Sequence, residues 1–393
     1  MEKIAILSAV RTPIGRLSGA LSSLSAPELG AVAVREAVKR AGLKPGQVNE
    51  LVMGNVVSAG VGQNPARQAA LLAGLPNETD AFTVNKVCGS GMQSVILACQ
   101  SLLLGEREFV VAGGMESMSN APFLDHSKRK GKTRDSTELL DAMVHDGLMD
   151  CYSHKHMGAL AELLAEKFSI SRKESDEFAF KSHQKALRAT DEGFFRNEIT
   201  PVEVVAENGS KNMVAVDEQP RHDTSLEKLA KLKPSFKGNG DVTAGNSSSV
   251  NDGAAVLVLC TEGTAKKHGL TALAFIDAWA TAALDPSYYG LGPVHAVGKL
   301  LEKTRSKITD YDLVEVNEAF AVQALAVARE LGIDLGKLNV NGGAVALGHP
   351  IGSSGARIIV TLVHALKRLG KRKGIASLCL GGGGGNAVSV SLA

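Results

Sequence analysis

Two hydrophobic periods alternate along this chain. KIAILSAV near the start, then ELVMGNVV, FTVNKV and FVVAGGMES, carry the short apolar runs expected of buried strands. Between them lie stretches with helical spacing: LGAVAVREAVKRAG, NPARQAALLAG and GMQSVILACQSLLLG, the last closed by Gly105. Ser25 to Glu28, SAPE, has the spacing of a capping box with a proline early in the helix. Strands separated by helices predict an α/β protein with a mostly parallel, helix-covered sheet.

The C-terminal third repeats that order. ALAFIDAWA reads as a strand, PVHAVGKLLEK as a helix, and DLVEVNEAF stands where ELVMGNVV stood. KLNVNGGAVALGHPIGSSGARIIVTLVHALKRLG parallels FTVNKVCGSGMQSVILACQSLLLG, and GIASLCLGGGGG parallels FVVAGGMES. Both copies place VN before a glycine-rich turn and GG after the last strand, so a duplicated fold is expected. Between the copies the character changes. SNAPFLDHSKRKGKTRDS is polar and broken, residues 156–190 read as helical, and ENGSKNMVAVDEQPRHD reads as turns and short strands. The predicted division is a first half of residues 1–118 plus 251–268, an inserted region of 119–250, and a second half of 269–393.

Composition narrows the class. The chain has 393 residues, 44% of them hydrophobic and 21% charged, a globular composition with room for two or three cores. A net charge of +2 supplies no global field for nucleic acid or an anionic membrane. The five cysteines are odd in number and form no CxxC, which favours a reducing compartment over a disulfide framework. The start lacks a signal-peptide pattern and no apolar run is long enough to span a bilayer, so a cytoplasmic protein is predicted.

Cys88 lies where a strand hands over to a helix, in TVNKVCGSGMQS. It could be a packed small hydrophobe, part of a dinucleotide fingerprint, or a nucleophile. Free N–H groups and the positive end of the helix dipole would favour a thiolate there. GSGMQS has serine in place of the third glycine, and Glu106 and Glu108 precede the next strand, so the dinucleotide reading is weak. GHPIGSSG lacks a P-loop lysine. The second half carries Gly348-His349-Pro350 at the equivalent turn, and its last strand ends at Cys379. With pseudo-symmetric halves, Cys88, His349, Cys379 and the pair Asn317-Glu318 are expected to converge. His145, Cys151, His154 and His156 match no zinc spacing and read as loop residues, one or two of them lining a pocket; no metal is predicted. Arg221, Lys228, Lys231 and Lys233 form either a solvated face or an anion clamp, near the small hydroxyls of residues 245–249.

VCGSGMQS around Cys88, NEAFA from Asn317, NVNGGAVALGHPIGSSGARI around His349 and CLGGGGG around Cys379 together resemble the thiolases. The resemblance runs from AVRTPIG to the last strand. DGLMD, HMG at residues 156–158 and TAGNSSSVNDGAA from residue 243 lean toward the short-chain, acetoacetyl-CoA type. It implies a five-layered αβαβα fold with an α+β loop domain inserted in the first half. It implies a reversible Claisen condensation of two acetyl-CoA to acetoacetyl-CoA and CoA, ping-pong through acetyl-Cys88; the alternative is a longer-chain 3-ketoacyl-CoA thiolase of fatty acid β-oxidation. Coenzyme A thioesters are then substrates, and no cofactor is implied.

By the same resemblance Cys88 is the nucleophile, Cys379 the general acid/base, and His349 the group that activates Cys88 and donates to the thioester oxygen. Asn317 holds a water in the first oxyanion hole; the backbone N–H groups of Cys88 and Gly381 form the second. Ser248 contacts pantetheine and Arg221 lies near the adenine. Leu148, His156, Met157, Phe236, Ala319 and Phe320 line the pantetheine and acyl pocket. Residues 119–135 resemble a loop that joins dimers, which implies a homotetramer. The chain departs from the pattern at Ser247–Ser249, and at Tyr288 and Tyr289, which put the acyl chain length in question. A thiolase-like carrier without turnover would need neither cysteine, nor His349, nor Asn317.

Overall fold

The computed structural model describes residues 2–125, 139–206 and 208–393. Its main sheet contains β1 (Ile4–Arg11), β2 (Glu50–Gly54), β3 (Asp80–Val84), β4 (Val110–Ser117), β5 (Asn251–Thr261), β6 (Ala274–Ala283), β7 (Leu313–Val316), β8 (Lys373–Leu380) and β9 (Gly384–Leu392). Their spatial order is β7-β8-β9-β6-β1-β5-β4-β2-β3. The sheet is mixed and mostly antiparallel, not mostly parallel as the strand–helix alternation predicts, because β5 and β9 lie antiparallel to both of their neighbours; the duplication is written in that pairing. In the first half β2 runs parallel to β3 and β4, and β5 is antiparallel to both β4 and β1. In the second, β7 is parallel to β8, and β9 is antiparallel to both β8 and β6. The halves join where Ile4–Ile6 of β1 pairs with Ala274–Ile276 of β6.

One copy is imperfect. The strand expected before the second glycine-rich turn shrinks to a single bridge between Leu338 and Val314. Asn339, at φ 45°, replaces the ladder with its side chain: Oδ1 accepts the Val316 N–H at 2.9 Å and Nδ2 donates to the Val316 carbonyl at 2.9 Å. In the first copy, β3 stops at Val84 and does not run on through FTVNKV.

Helices α1 (Ala26–Arg40) and α2 (Pro65–Leu72) cover the outer face of the first half. Glu28 closes the start of α1, accepting from the Ser25 N–H and hydroxyl at 2.8 and 2.7 Å. Helix α3 (Ser90–Leu103) lies between the halves, with the long helix Ile351–Leu369 of the second half beside it. Their apolar faces share one core with β4, β5, β8 and β9. The helix Gly292–Thr304 covers the outside of β6 and β9. The result is five layers, and strands covered on both faces read as unbroken apolar runs for that reason.

The inserted region holds α4 (Met157–Phe168) and α5 (Arg172–Asp191), separated at Ser169 by a left-handed residue, so the stretch 156–190 is two helices and not one. Ion pairs without solvent exposure tie it to β1: Arg11 Nε donates to Glu198 at 2.6 Å, and its two terminal nitrogens donate to Asp217 at 2.7 and 2.8 Å. Residues Met143–Leu148 form a wide π-type turn. No helix among the described residues is long and apolar enough to cross a membrane.

Candidate active site

Between β3 and α3 the chain makes a tight elbow. Val87 adopts φ 48°, a conformation costing a β-branched residue about 1–3 kcal/mol, which the surroundings must enforce. Several bonds do so. Asn85 Oδ1 accepts the Val87 N–H at 3.1 Å, and Ser90 Oγ accepts the Lys86 N–H at 2.8 Å and donates to the Val87 carbonyl at 2.6 Å. Lys86 Nζ donates to Gln93 at 2.8 Å and to Asn386 of the second half at 3.0 Å. Cys88 is thereby held against a cavity of about 360 Å³.

The second half supplies the imidazole. Gly348 takes φ 103°, and the Asn251 amide lies 2.4 Å from where a Cβ would stand, so only glycine fits. Asn251 Oδ1 accepts the His349 N–H at 3.0 Å. His349 Nδ1 lies 2.6 Å from Ser354 Oγ, whose own proton goes to the Pro350 carbonyl at 2.8 Å. Nδ1 therefore carries the ring hydrogen and Nε2 keeps its lone pair. Asn317 Nδ2 approaches that lone pair at 3.4 Å, while Asn317 Oδ1 accepts from buried Arg357 at 3.4 Å. Burial, then the Arg357 charge, holds His349 down to about 3, so the ring is a neutral base at physiological pH.

The thiols behave differently from the expectation of a ready thiolate. Burial pushes Cys88 up to about 11. The Gly381 and Cys88 N–H groups, both donating to Sγ, pull the other way, and the negative charge of Glu116 adds to the upward push. Desolvation outweighs the helix start. Cys379, wholly buried at the end of β8, is raised by burial and by the charge of Cys88. Two sulfurs that feel each other do not both ionise, and Tyr289 feels both.

The cavity gathers residues from both halves and from the inserted region. Cys88, His349 and Gly381 line its reactive end. Leu148, His156, Met157, Phe236, Ala319 and Phe320 form the apolar walls, and Arg221 and Ser248 also line it. Cys379 and Asn317 sit just behind: Cys379 packs with Ala319, Phe320 and Tyr289, and Asn317 bonds His349. His156 Nδ1 accepts the Gly158 N–H at 3.1 Å, and its ring stacks on Phe236 with centroids 4.6 Å apart. Ser248 donates its hydroxyl to the Ala319 carbonyl at 2.9 Å.

Some expected members lie elsewhere. Glu318 does not converge with Asn317: it accepts from Ser182 and Asn339 at 2.7 Å each and from the Val345 N–H at 3.2 Å, which turns its carboxylate away. Lys228 is paired with Asp223 at 2.8 Å and does not line the cavity, nor do Lys231 and Lys233. Tyr289 lines it and Tyr288 does not; Tyr288 lies under Lys167. Among the described residues, no group of three His, Cys, Asp or Glu side chains could hold a metal ion. Met118, Val250 and Ile351 also line the cavity, with no signal in the sequence beyond their place beside the motifs. Residues 126–135 of the loop read as a dimer-joining segment lie outside the described residues.

A duplicated α/β chain that brings a thiol and a neutral imidazole to one apolar cavity, with a second thiol behind its wall, has the parts for thioester chemistry. Residues 4–263 match the family description "Thiolase, N-terminal domain" and residues 270–392 match "Thiolase, C-terminal domain". A Pseudomonas aeruginosa protein named acetyl-CoA acetyltransferase is 49% identical over 391 residues, covering 100% of both chains. A Cupriavidus necator protein of the same name is 48% identical over 390 residues, covering 99% of each. The crystal structure of the Bacillus anthracis acetyl-CoA acetyltransferase superposes with a TM-score of 0.98 at 45% identity, covering 100% of this chain and 99% of that one. This chain belongs to the thiolase family.

Proposed function

We propose that this protein is an acetyl-CoA C-acetyltransferase that interconverts two acetyl-CoA with acetoacetyl-CoA and CoA. The observation that carries this is the lone pair on His349 Nε2 at the cavity that also holds the Cys88 thiol, with Cys379 electrostatically coupled behind it. His349 Nε2 takes the Cys88 proton as Sγ attacks the thioester carbonyl. The carbonyl oxygen gains charge facing the Cys88 and Gly381 N–H groups, each such donor being worth about 2.7–4 kcal/mol of barrier. The C–S bond to CoA breaks and the CoA sulfur takes the proton from His349. Once acetylated, Cys88 can no longer ionise, so no second sulfur charge opposes Cys379 when it gives its proton to solvent and becomes a thiolate. That thiolate takes an α-proton from the second acetyl-CoA. The enolate attacks the acetyl carbon with its oxygen held by an Asn317-bound water; His349 Nε2, again without a hydrogen, has none to donate, contrary to the expectation that His349 donates to the thioester oxygen. The carbon–carbon bond forms, the bond to Cys88 breaks, and Cys379 returns the proton to the departing sulfur.

Full-length relatives named acetyl-CoA acetyltransferase support the short-chain reading over a longer 3-ketoacyl-CoA thiolase. Tyr289 in the wall beside both sulfurs supports it from within the structure. Arg221 and Ser248 are the proposed contacts for the adenine end and pantetheine arm of CoA. The remaining proposals are a cytoplasmic homotetramer without a resident cofactor and the division into residues 1–118 plus 251–268, 119–250 and 269–393. Light scattering tests the tetramer. Cys88→Ala tests the chemistry: the parent, incubated with acetyl-CoA, gains one acetyl mass on the Cys88 peptide and the variant gains none. An acetyl adduct that persists on the variant refutes the assignment.

A further inference from the structure

The two central helix starts meet in a socket of glycines. Gly54 ends β2, Gly91 lies in the first turn of α3, Gly114 lies in β4, and Gly352 lies in the first turn of the helix Ile351–Leu369. A Cβ on Gly54, Gly91 or Gly114 would stand 2.7, 2.8 or 2.0 Å from the Gly352 carbonyl oxygen. The turn that follows His349-Pro350 therefore rests directly on the half that carries Cys88.

Glu116 of β4 fastens this contact. Its carboxylate is wholly buried and does not line the cavity. Oε1 accepts from Asn55 Nδ2 at 2.7 Å and from the Val57 N–H at 3.1 Å. Oε2 accepts from the Val56 N–H at 3.1 Å and from the Gly352 N–H at 2.8 Å. Three donors come from the loop after β2 and the fourth from the second half. A Cβ on Gly352 would lie 2.7 Å from Oε2, so the carboxylate and the glycine define each other's place. Among the described residues, no buried cation compensates this acid. Mere filling of the space would be served better by an apolar side chain.

We infer that Glu116 is a positioning residue that sets the spacing and orientation of His349 relative to Cys88 by bonding the first half's loop and the Gly352 N–H with one carboxylate. The inference rests on reading Cys88 and His349 as the reacting pair. Glu116 also acts through charge. It raises the Cys88 thiol, and Asp252 of β5 opposes its own ionisation. Burial, against the bonds from Gly352, Val56 and Val57, lifts it to about 7.

Glu116→Gln keeps the shape but turns an amide N–H₂ against N–H donors and removes the charge. The expected result is a thiolysis kcat about 10- to 100-fold lower with KM for CoA unchanged. The pH midpoint for iodoacetamide alkylation of the Cys88 peptide moves down, because a negative neighbour is gone. Asn55→Ala removes one donor and keeps the charge, so kcat falls while the midpoint does not move down. A folded Glu116→Gln with parental kcat, or with an unshifted midpoint, overturns the inference. Should that variant fail to fold, parental kcat in both Asn55→Ala and Glu116→Asp overturns it. Absence of acetyl-Cys88 in the parent would instead remove the underlying reading, with the alkylation midpoint still measurable.

Discussion

Replacing His349 with alanine removes the ring whose Nε2 is free to take the Cys88 proton. The thiol is held up at about 11, so at pH 7.5 roughly 1 molecule in 3,000 carries the thiolate without help. An unperturbed thiol, at about 8.5, would carry it in about 1 molecule in 10. A base held at about 3 takes the proton only in concert with Sγ attack on the thioester, and its loss in His349→Ala should slow acetyl transfer to Cys88 by about 10²–10⁴-fold at pH 7.5, the range for a lost general base. The pH dependence is the sharper signature. The variant depends on spontaneous ionisation, so its rate should rise about tenfold per pH unit up to the thiol's own value. In the parent, His349 is held at about 3 and is already neutral across pH 5–9, so the same step should be nearly flat there. Rapid-quench mass spectrometry of acetyl-Cys88, with acetyl-CoA in excess, reads both. A variant within tenfold of the parent at pH 7.5, or one with a parallel pH profile, would refute the reasoning.

Three further outcomes are expected. Arg11→Met leaves the buried carboxylates of Glu198 and Asp217 without their cation and should cost about 3–5 kcal/mol in urea unfolding; a loss below about 1 kcal/mol contradicts the docking role of this cluster. His183 is held down to about 4, first by burial and then by Arg221, against 6.5 unfolded. The unfolded chain therefore binds more protons within that window, and stability should fall as pH drops from 6.5 toward 4, by up to about 1.4 kcal/mol per unit. His183→Gln should flatten that slope, and equal slopes in the two proteins would contradict it. Tyr289 is buried in the cavity wall, its hydroxyl donating to the Met157 carbonyl at 3.1 Å. Tyr289→Ala should raise kcat/KM for a longer 3-ketoacyl-CoA relative to acetoacetyl-CoA by about tenfold or more, and an unchanged ratio removes Tyr289 as the chain-length limit.

The linear order of residues determined the α/β class, the duplication, the Ser25–Glu28 cap and the two glycine-rich turns, because each depends on neighbours within a few positions. Period, caps and turn residues act through local φ/ψ and through the face a side chain presents. The same local signals located Cys88 at an elbow and His349 at its counterpart. Only the tertiary structure decided their protonation. Cys88 sits at a helix start that locally favours a thiolate, yet residues of both halves pack around it and desolvation wins. The lone pair on His349 Nε2 follows from Ser354 and Pro350 nearby, but the Asn317 amide beside it is oriented by Arg357, 40 positions along the chain. Glu318 looked like a partner of Asn317 in sequence and was drawn off by Ser182, 136 positions away. Glu116 gave no signal at all, since its meaning lies in a backbone N–H at Gly352. Charge state and hydrogen-bond partner depend on what surrounds a group in space, and that is known only once distant parts of the chain have met.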